Sequence, residues 1–342
     1  MNKLRVAIIG LGPAAEPHAG SLIDLEQTIE VVAAATRSAA RAAAFHARFR
    51  FPVTTDIDAV ISNPEIDAVL VLTPPNTHLE IAGRCLRAGK HVLVEKPIDV
   101  SVERGAALVE VARRAGRQLG VVLQHRFRPG GVRLRQALAA GELGEVAAAS
   151  MTVAWWRPQA YYDEPGRGTR ARDGGGVLLT QAIHTLDMFR SLVGVSAVAA
   201  AQVSTTALHR METEDHVAAL VRLGNGAPGQ IMATTAAYPG EAERIEIIGT
   251  QGGATLAGGR LRLSFLDGRE EILEAEGRSG SGASIMDFPR DAHRALIADF
   301  ADAARNDRAP GVTGADALAS QRLIDDILKA SGLSQTAAAR FV

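Results

Sequence analysis

The sequence predicts an α/β protein in two parts: an N-terminal Rossmann domain (a doubly wound parallel sheet), then an α/β domain with a large, mostly antiparallel open sheet. Three observations carry this. Up to residue 123, short apolar runs alternate with helix-favouring segments, the pattern of strand–helix–strand units around a parallel sheet. Beyond about Gln124, alternating runs separated by Gly-rich turns take over, as antiparallel strands do. The length, 342 residues, suits about two domains of ~100–200 residues each. The domains are accordingly placed at 1–123 and 124–342.

The elements follow in order. Val6-Ala7-Ile8-Ile9 is an apolar run stopped by Gly10, which suits a buried parallel strand. A helix is expected over 14–25, a strand over 29–35 and a helix over 38–49. Ile66–Leu72 is the third strand, and the helix 77–88 after it ends at Gly89, a C-terminal cap. Strand 91–94, helix 102–115 and strand 119–123 complete the first domain. In the second, 132–140 reads as helix, and strands are expected over 146–155, 197–206, 216–223, 229–236, 244–248, 254–256, 261–265 and 271–274. Turns such as Gly224-Asn225-Gly226 join them. The Gly- and Ser-rich stretch 275–284 reads as a loop, and helices over 289–304 and 314–330 close the chain.

Composition narrows the function classes. With 47% hydrophobic and 22% charged residues, the chain has material for a core. A formal net charge of −1 gives no electrostatic reason to expect nucleic acid or an acidic membrane as partner. Arg126, Arg128, Arg133 and Arg135 form a local basic cluster, read as a solvated helix face rather than a phosphate-binding patch. Cys85 is the only cysteine, which excludes an intramolecular disulfide and a multi-cysteine zinc site; its apolar helical setting reads as core. The N-terminal apolar run is short and ends in glycines, unlike a secretory leader. No apolar stretch approaches the ~20 residues of a membrane span, so a cytoplasmic protein is expected.

Gly10-x-Gly12-x-x-Ala15 is a G-x-G-x-x-G/A fingerprint between a strand and a helix, the setting that motif requires. Gly10 permits the tight turn, Gly12 lets the backbone approach a pyrophosphate, and Ala15 keeps helix and strand close. Together with Pro13 and Ala14 they present the helix N-terminus, where free N–H groups and the dipole favour anions. The end of the second strand reports on the dinucleotide. NAD sites place an acidic residue there, whereas this chain has Thr36-Arg37-Ser38. A guanidinium pairs bidentately with phosphate, so NAD(P) is the expected cofactor with NADP favoured over NAD. The competing reading has Arg37 stacking on adenine, with either cofactor accepted.

Thr73-Pro74-Pro75-Asn76-Thr77-His78 follows the third strand, and Glu95-Lys96-Pro97 ends the fourth. With the glycine fingerprint, these runs closely resemble the glucose–fructose oxidoreductase and inositol 2-dehydrogenase superfamily (Gfo/Idh/MocA), over essentially the whole chain. The resemblance implies that Thr73, Pro74, Pro75, Asn76, His78, Glu95, Lys96 and Pro97 belong to the cofactor site. It also implies that Lys96 is catalytic, and that the second domain shields substrate and often mediates oligomers. Independently of family, Lys96 ends a parallel strand, where ligands of doubly wound sheets bind. A lysine there would favour a developing alkoxide; the plain alternative is a surface lysine.

In the second domain, Asp173-Gly174-Gly175-Gly176 feeds a helix expected to put Thr180 and His184, four apart, on one face. This resembles the family's second catalytic stretch. His184 matches its histidine, a residue suited to acid–base work on a secondary alcohol, whereas Thr180 stands where many members carry aspartate. The alternative for His184 is a buried structural histidine bonded to Asp187. Those two are three apart and could share a metal, but no further ligands lie nearby and hydride transfer needs none, so no metal is expected.

Gln124-His125-Arg126-Phe127-Arg128, Trp155-Trp156-Arg157 and Tyr161-Tyr162 are expected to line the substrate cleft, with Arg126, Tyr161, Thr180, Gln181 and His184 as contacts. Tyr238-Pro239 is a weaker candidate for the same cleft. The stretch resembles members acting on nucleotide-linked sugar acids. Buried aromatics also serve packing, so both readings stand.

The function expected is hydride transfer between nicotinamide and a secondary alcohol or ketone of a sugar, sugar acid or polyol. Alternatives are a dehydrogenase of cyclic diols from aromatic catabolism, a glycoside-cleaving relative, or a non-enzymatic dinucleotide sensor. The expected partners are a small-molecule substrate and further copies of the chain, as a homodimer or homotetramer.

Overall fold

The computed structural model describes residues 3–274 and 289–332; the expected loop 275–284 lies outside them. The chain divides into two compact units, Met1–Gln124 with Arg290–Leu318, and His125–Pro289 with Ala319–Val342. The return of 290–318 to the first unit differs from a simple boundary at 123.

In the first unit the elements run β1 (Leu4–Ile9), α1 (Ala15–Asp24), β2 (Ile29–Ala35), α2 (Ala39–Phe49), β3 (Val53–Thr54), α3 (Ile57–Ser62), β4 (Ala68–Val71), α4 (His78–Arg87), β5 (His91–Val94), α5 (Val102–Ala115) and β6 (Leu119–Val121). The strands form a six-stranded sheet in the order β3-β2-β1-β4-β5-β6, parallel at every pairing. The order reverses direction between β1 and β4, the switch point where such sheets hold their ligands. Burial on both faces explains the unbroken apolar runs: Val6 to Ile9, Ala68 to Val71 and Val92 to Val94 are all buried. Helix ends follow local chemistry. Ser38, Asp56 and Ser101 cap α2, α3 and α5 with their side chains, and Gly116 closes α5 in the left-handed region. Cys85 is buried, and burial pushes its thiol up to about 12, which leaves it inert at neutral pH.

The second unit carries α6 (Pro129–Ala139), β7 (Val146–Ala154), α7 (Gln159–Tyr162), α8 (Arg170–Asp173), α9 (Val177–Thr180), α10 (Ile183–Val193), β8 (Val195–Ser204), β9 (His216–Leu223), β10 (Pro228–Thr234), β11 (Arg244–Gly249), β12 (Gly252–Ala257), β13 (Arg260–Phe265) and β14 (Glu270–Leu273). Its eight-stranded sheet is ordered β14-β13-β12-β11-β7-β10-β9-β8. Every pairing is antiparallel except β7 with β10. One face is buried, through Met151, Val153, Ile231, Ala233, Ile245 and Ile247; α10 packs there with Ile183, Leu186 and Phe189. The alternating pattern that predicted these strands is this one-sided burial. Two helices follow, α11 (Asp291–Asn306) and α12 (Gly314–Ala330). α11 packs on α1, which brings it into the first unit.

The basic cluster is neither a solvated face nor a phosphate patch. Arg126 pairs with Asp187, Arg128 with Glu243, and Arg133 with both Glu142 and Glu271. No helix among the described residues is long and apolar enough to cross a membrane.

Candidate active site

The fingerprint turn links β1 to α1. Gly10 has φ +105°, and a Cβ there would lie 2.6 Å from the carbonyl carbon of Leu72. No other residue fits so close to the end of β4. Gly12 differs: a Cβ would meet no protein atom within 4 Å. Its small size therefore answers to nothing in the protein itself and fits an approaching pyrophosphate. Ala15 is fully buried, and no side chain caps α1, so no protein carboxylate or hydroxyl stands at the helix end where an anion would sit. Pro13 and Ala14 are exposed ahead of the buried Ala15, with Glu16 N–H donating to the Pro13 carbonyl. These features fit a dinucleotide. At the end of β2, Thr36 is buried and Arg37 exposed.

Beyond β4, Thr77 Oγ1 donates to Thr73 Oγ1 (2.7 Å) and to the Pro74 carbonyl (2.7 Å), curling Pro75-Asn76-Thr77 into a single 3-10 turn. Arg104 ties the Asn76 carbonyl to Asp99. His78 was expected to touch cofactor. It is instead wholly buried, with Nδ1 3.0 Å from the Pro97 carbonyl and Nε2 2.8 Å from the Thr73 carbonyl. Burial pushes its pKa down, against the backbone carbonyls and Asp99, which pull it up.

Glu95-Lys96-Pro97 follows β5, with a cis peptide between Lys96 and Pro97. Glu95 Oε1 lies 2.7 Å from His18 Nε2, and Oε2 accepts the Lys96 backbone N–H at 3.0 Å. Burial would raise the Glu95 carboxyl, but the His18 hydrogen bond and the charges of His18, Lys96 and His293 hold it below the usual carboxylate range. The carboxylate expected to serve the cofactor thus already holds its own neighbour's backbone. His18 comes from α1, and His293 of α11 meets it edge-on at 5.2 Å.

The second unit carries the other expected residues. Tyr161 OH accepts from Arg167 Nη1 (2.8 Å) and from Gln181 Nε2 (3.4 Å). The Arg167 guanidinium lies 4.4 Å from the Tyr161 ring centre and that of Arg157 6.0 Å away. Thr180 Oγ1 donates to the Gly176 carbonyl at 2.7 Å and also pairs with Gln181 Oε1. Tyr161, Thr180 and Gln181 are therefore one connected group. The single helix expected through Thr180 and His184 is instead two, α9 and α10. The Ala182 N–H reaches back to Val177 at 2.8 Å, one residue further than an α-turn, before the ladder restarts with Leu186 bonded to Ala182. That wide turn breaks the four-residue register the sequence reading assumed. Ahead of the break, Glu214 accepts the N–H of Gly176 (3.1 Å) and of Leu178 (3.4 Å).

His184 opens α10, partly exposed, its ring 5.0 Å from that of His125. Asp187, weighed as its partner, instead binds Arg126 through Nε (2.6 Å) and Nη2 (2.7 Å), with Ser320 donating at 2.7 Å. Arg126 was expected to hold substrate. Its guanidinium is buried in this pair instead, because a buried carboxylate needs a counter-charge. Tyr238 stands 79% exposed, edge-on to Trp156 at 5.5 Å.

Sequence reasoning missed His18 and the His125–His184 contact. The first was legible: Ala15, His18, Ala19 and Leu22 form the buried stripe of α1, and a histidine in such a stripe needs a polar partner. The second depends on chain reversal, which no local pattern encodes.

A doubly wound sheet with this glycine turn at its switch point and this lysine turn at the carboxyl end of β5 defines a dinucleotide-dependent oxidoreductase. Comparison makes the class specific. Residues 4–123 match the model of an oxidoreductase family with an NAD-binding Rossmann fold, and 132–255 match the GFO/IDH/MocA C-terminal domain. The 1,5-anhydro-D-fructose reductase of Ensifer adhaerens is 30% identical over 90% of this chain and 90% of its own. The scyllo-inositol 2-dehydrogenase (NAD(+)) of Bacillus subtilis is 26% identical over 92% of this chain and 90% of its own. The WlbA dehydrogenase from Bordetella pertussis, solved in complex with NADH and UDP-GlcNAcA, superimposes with a TM-score of 0.82 at 26% identity, covering 97% of both chains. The chain belongs to the Gfo/Idh/MocA family. It is an oxidoreductase of the dehydrogenase and reductase type, a class acting on CH–OH groups.

Proposed function

We propose that the protein moves a hydride between a nicotinamide cofactor and a secondary alcohol or ketone of a sugar, sugar acid or polyol. The observation that carries this is Lys96, at the carboxyl end of β5 in a turn whose backbone is fixed on both sides. When bound, the nicotinamide takes up or returns the hydride. Lys96 Nζ donates to the substrate oxygen and favours the alkoxide. His184 accepts or returns the hydroxyl proton. Tyr161 oxygen already accepts from Arg167 and Gln181, so its own O–H is the donor it offers a substrate hydroxyl. Thr180, whose proton is committed to Gly176 and Gln181, offers lone pairs.

NADP is favoured over NAD because Arg37 stands exposed after β2 and no acidic residue lies in Thr36-Arg37-Ser38. The protein works in the cytoplasm as a homodimer or homotetramer. The open face of the large sheet exposes Leu220 (58%) and Ile248 (61%), apolar area that a second copy would cover; sedimentation velocity tests this.

The deciding experiment is a panel of inositols, anhydro sugars and UDP-linked uronic acids with NAD⁺ and NADP⁺, read as nicotinamide absorbance. Turnover of a member, with Lys96→Ala losing about a hundredfold or more in kcat while still binding cofactor, supports the reading. Undiminished turnover by Lys96→Ala overturns the lysine's role.

A further inference from the structure

The turn carrying Lys96 is held from both sides by buried imidazoles that face no solvent. Upstream, His18 Nε2 meets Glu95 Oε1 at 2.7 Å, and the other oxygen of that carboxylate accepts the Lys96 backbone N–H at 3.0 Å. Downstream, His78 Nδ1 lies 3.0 Å from the Pro97 carbonyl and 3.3 Å from that of Ile98, while Nε2 lies 2.8 Å from the Thr73 carbonyl. Both histidines are 0% exposed, so neither reaches substrate or cofactor. The two come from different helices, His18 from the helix that opens at the glycine fingerprint and His78 from the first residue of α4.

We infer that His18 and His78 are positioning residues for Lys96: one fixes its amide through Glu95, the other fixes the carbonyl that follows it. The inference deepens the proposed function, since it matters to catalysis only if Lys96 acts there. His78 Nε2 also faces the Thr73 carbonyl, but a neutral ring carries a single N–H, and that proton is assigned to Nδ1, toward Pro97. The cofactor helix and the first residue of α4 thereby each supply one side chain that braces the lysine turn. The physical reason for imidazole is reach and planarity. Each ring has two nitrogens, on different sides, each able to carry a donor. At position 18 the working nitrogen is Nε2, and at 78 the one on the lysine side is Nδ1.

That difference makes the inference testable. A Gln amide nitrogen occupies roughly the place of His Nε2, and an Asn amide nitrogen that of Nδ1. His18→Gln therefore keeps the bond to Glu95 and His18→Asn loses it. His78→Asn keeps the bond to Pro97 and His78→Gln loses it. A structural or packing role has no reason to reverse its preference between the two positions.

The readout need not be activity. The chain holds four lysines, Lys3, Lys90, Lys96 and Lys329. Reductive methylation with ¹³C-formaldehyde keeps their charge and labels accessible amines for NMR, with Lys96→Arg assigning the Lys96 signal and Lys3 and Lys329 as references. In His18→Gln and His78→Asn the Lys96 methyl signal should stay at its wild-type position. In His18→Asn and His78→Gln it should move or broaden, with the references unchanged. An unmoved Lys96 signal in all four variants overturns the inference, and so does one that follows the same amide at both positions. Undiminished turnover by Lys96→Ala, by contrast, overturns the lysine's catalytic role and leaves this spectroscopic result standing.

Discussion

Arg126 and Asp187 form a bidentate ion pair at 2.6 and 2.7 Å, with the carboxylate fully buried. The pair fixes the 3-10 turn Gln124–Phe127 against α10, and so sets His125 beside His184. Removing one partner leaves a buried charge uncompensated, which costs about 3–5 kcal/mol. Asp187→Asn should lower stability by that amount in urea unfolding. Ser320→Ala, which removes a neutral hydroxyl that donates to Asp187 and accepts from Arg190 Nε, leaves the ion pair in place and should cost less, about 1.5–3 kcal/mol. Equal costs for the two would show that charge is not what matters at Asp187.

The two glycines of the fingerprint should fail in different ways. Gly10→Ala forces a side chain into the left-handed region and against Leu72; strain of this kind costs about 1–3 kcal/mol before the clash is counted. Gly12→Ala meets no protein atom and should fold within about 0.5 kcal/mol of the native chain. It should instead lose about tenfold or more in dinucleotide affinity, some 1.4 kcal/mol. Thermal unfolding and NADH fluorescence titration separate the two effects. Normal NADH affinity in Gly12→Ala would mean that the pyrophosphate lies elsewhere.

The doubly wound sheet was legible because its strands are buried on both faces and its helices are punctuated by Gly89, Gly116 and the fingerprint. His91–Val94 and Val102–Ala115 are read to the residue. Short elements such as Val53–Thr54 and Ile57–Ser62 were not: Val53–Thr54 is a strand by virtue of pairing with β2, and its two residues have no period of their own. The break between α9 and α10 is one wide turn, Ala182 N–H to the Val177 carbonyl, and the apolar pattern around it reads the same with or without it. Arg126 misled for a similar reason. An arginine near a cleft looks the same in sequence whether its carboxylate comes from a ligand or from Asp187, sixty-one residues on.

Cofactor choice turns on Arg37. If its guanidinium holds a 2′-phosphate, Arg37→Asp should weaken NADPH binding by about tenfold or more, the scale of a lost charge-assisted pair, and strengthen NADH binding. Fluorescence titration with each reduced dinucleotide reads both numbers. Unchanged NADPH affinity would leave Arg37 as an adenine-stacking residue and favour NAD.

Glu214 makes stability depend on pH. Burial pushes its carboxyl up to about 6 from 4.5, and the N–H groups of Leu178 and Gly176 only partly oppose this. The folded state therefore binds the proton more tightly than the unfolded chain does. Ionising Glu214 in the fold costs nothing below pH 4.5, costs progressively more up to about pH 6, and reaches about 2 kcal/mol above it. Glu214→Gln cannot ionise, although it retains an oxygen to accept from Gly176. Between pH 4.5 and pH 7 the native protein should lose about 2 kcal/mol relative to the variant, whatever other groups contribute to both. Urea unfolding at the two pH values gives the difference directly. Parallel pH profiles would mean that the glycine run already stabilises the carboxylate.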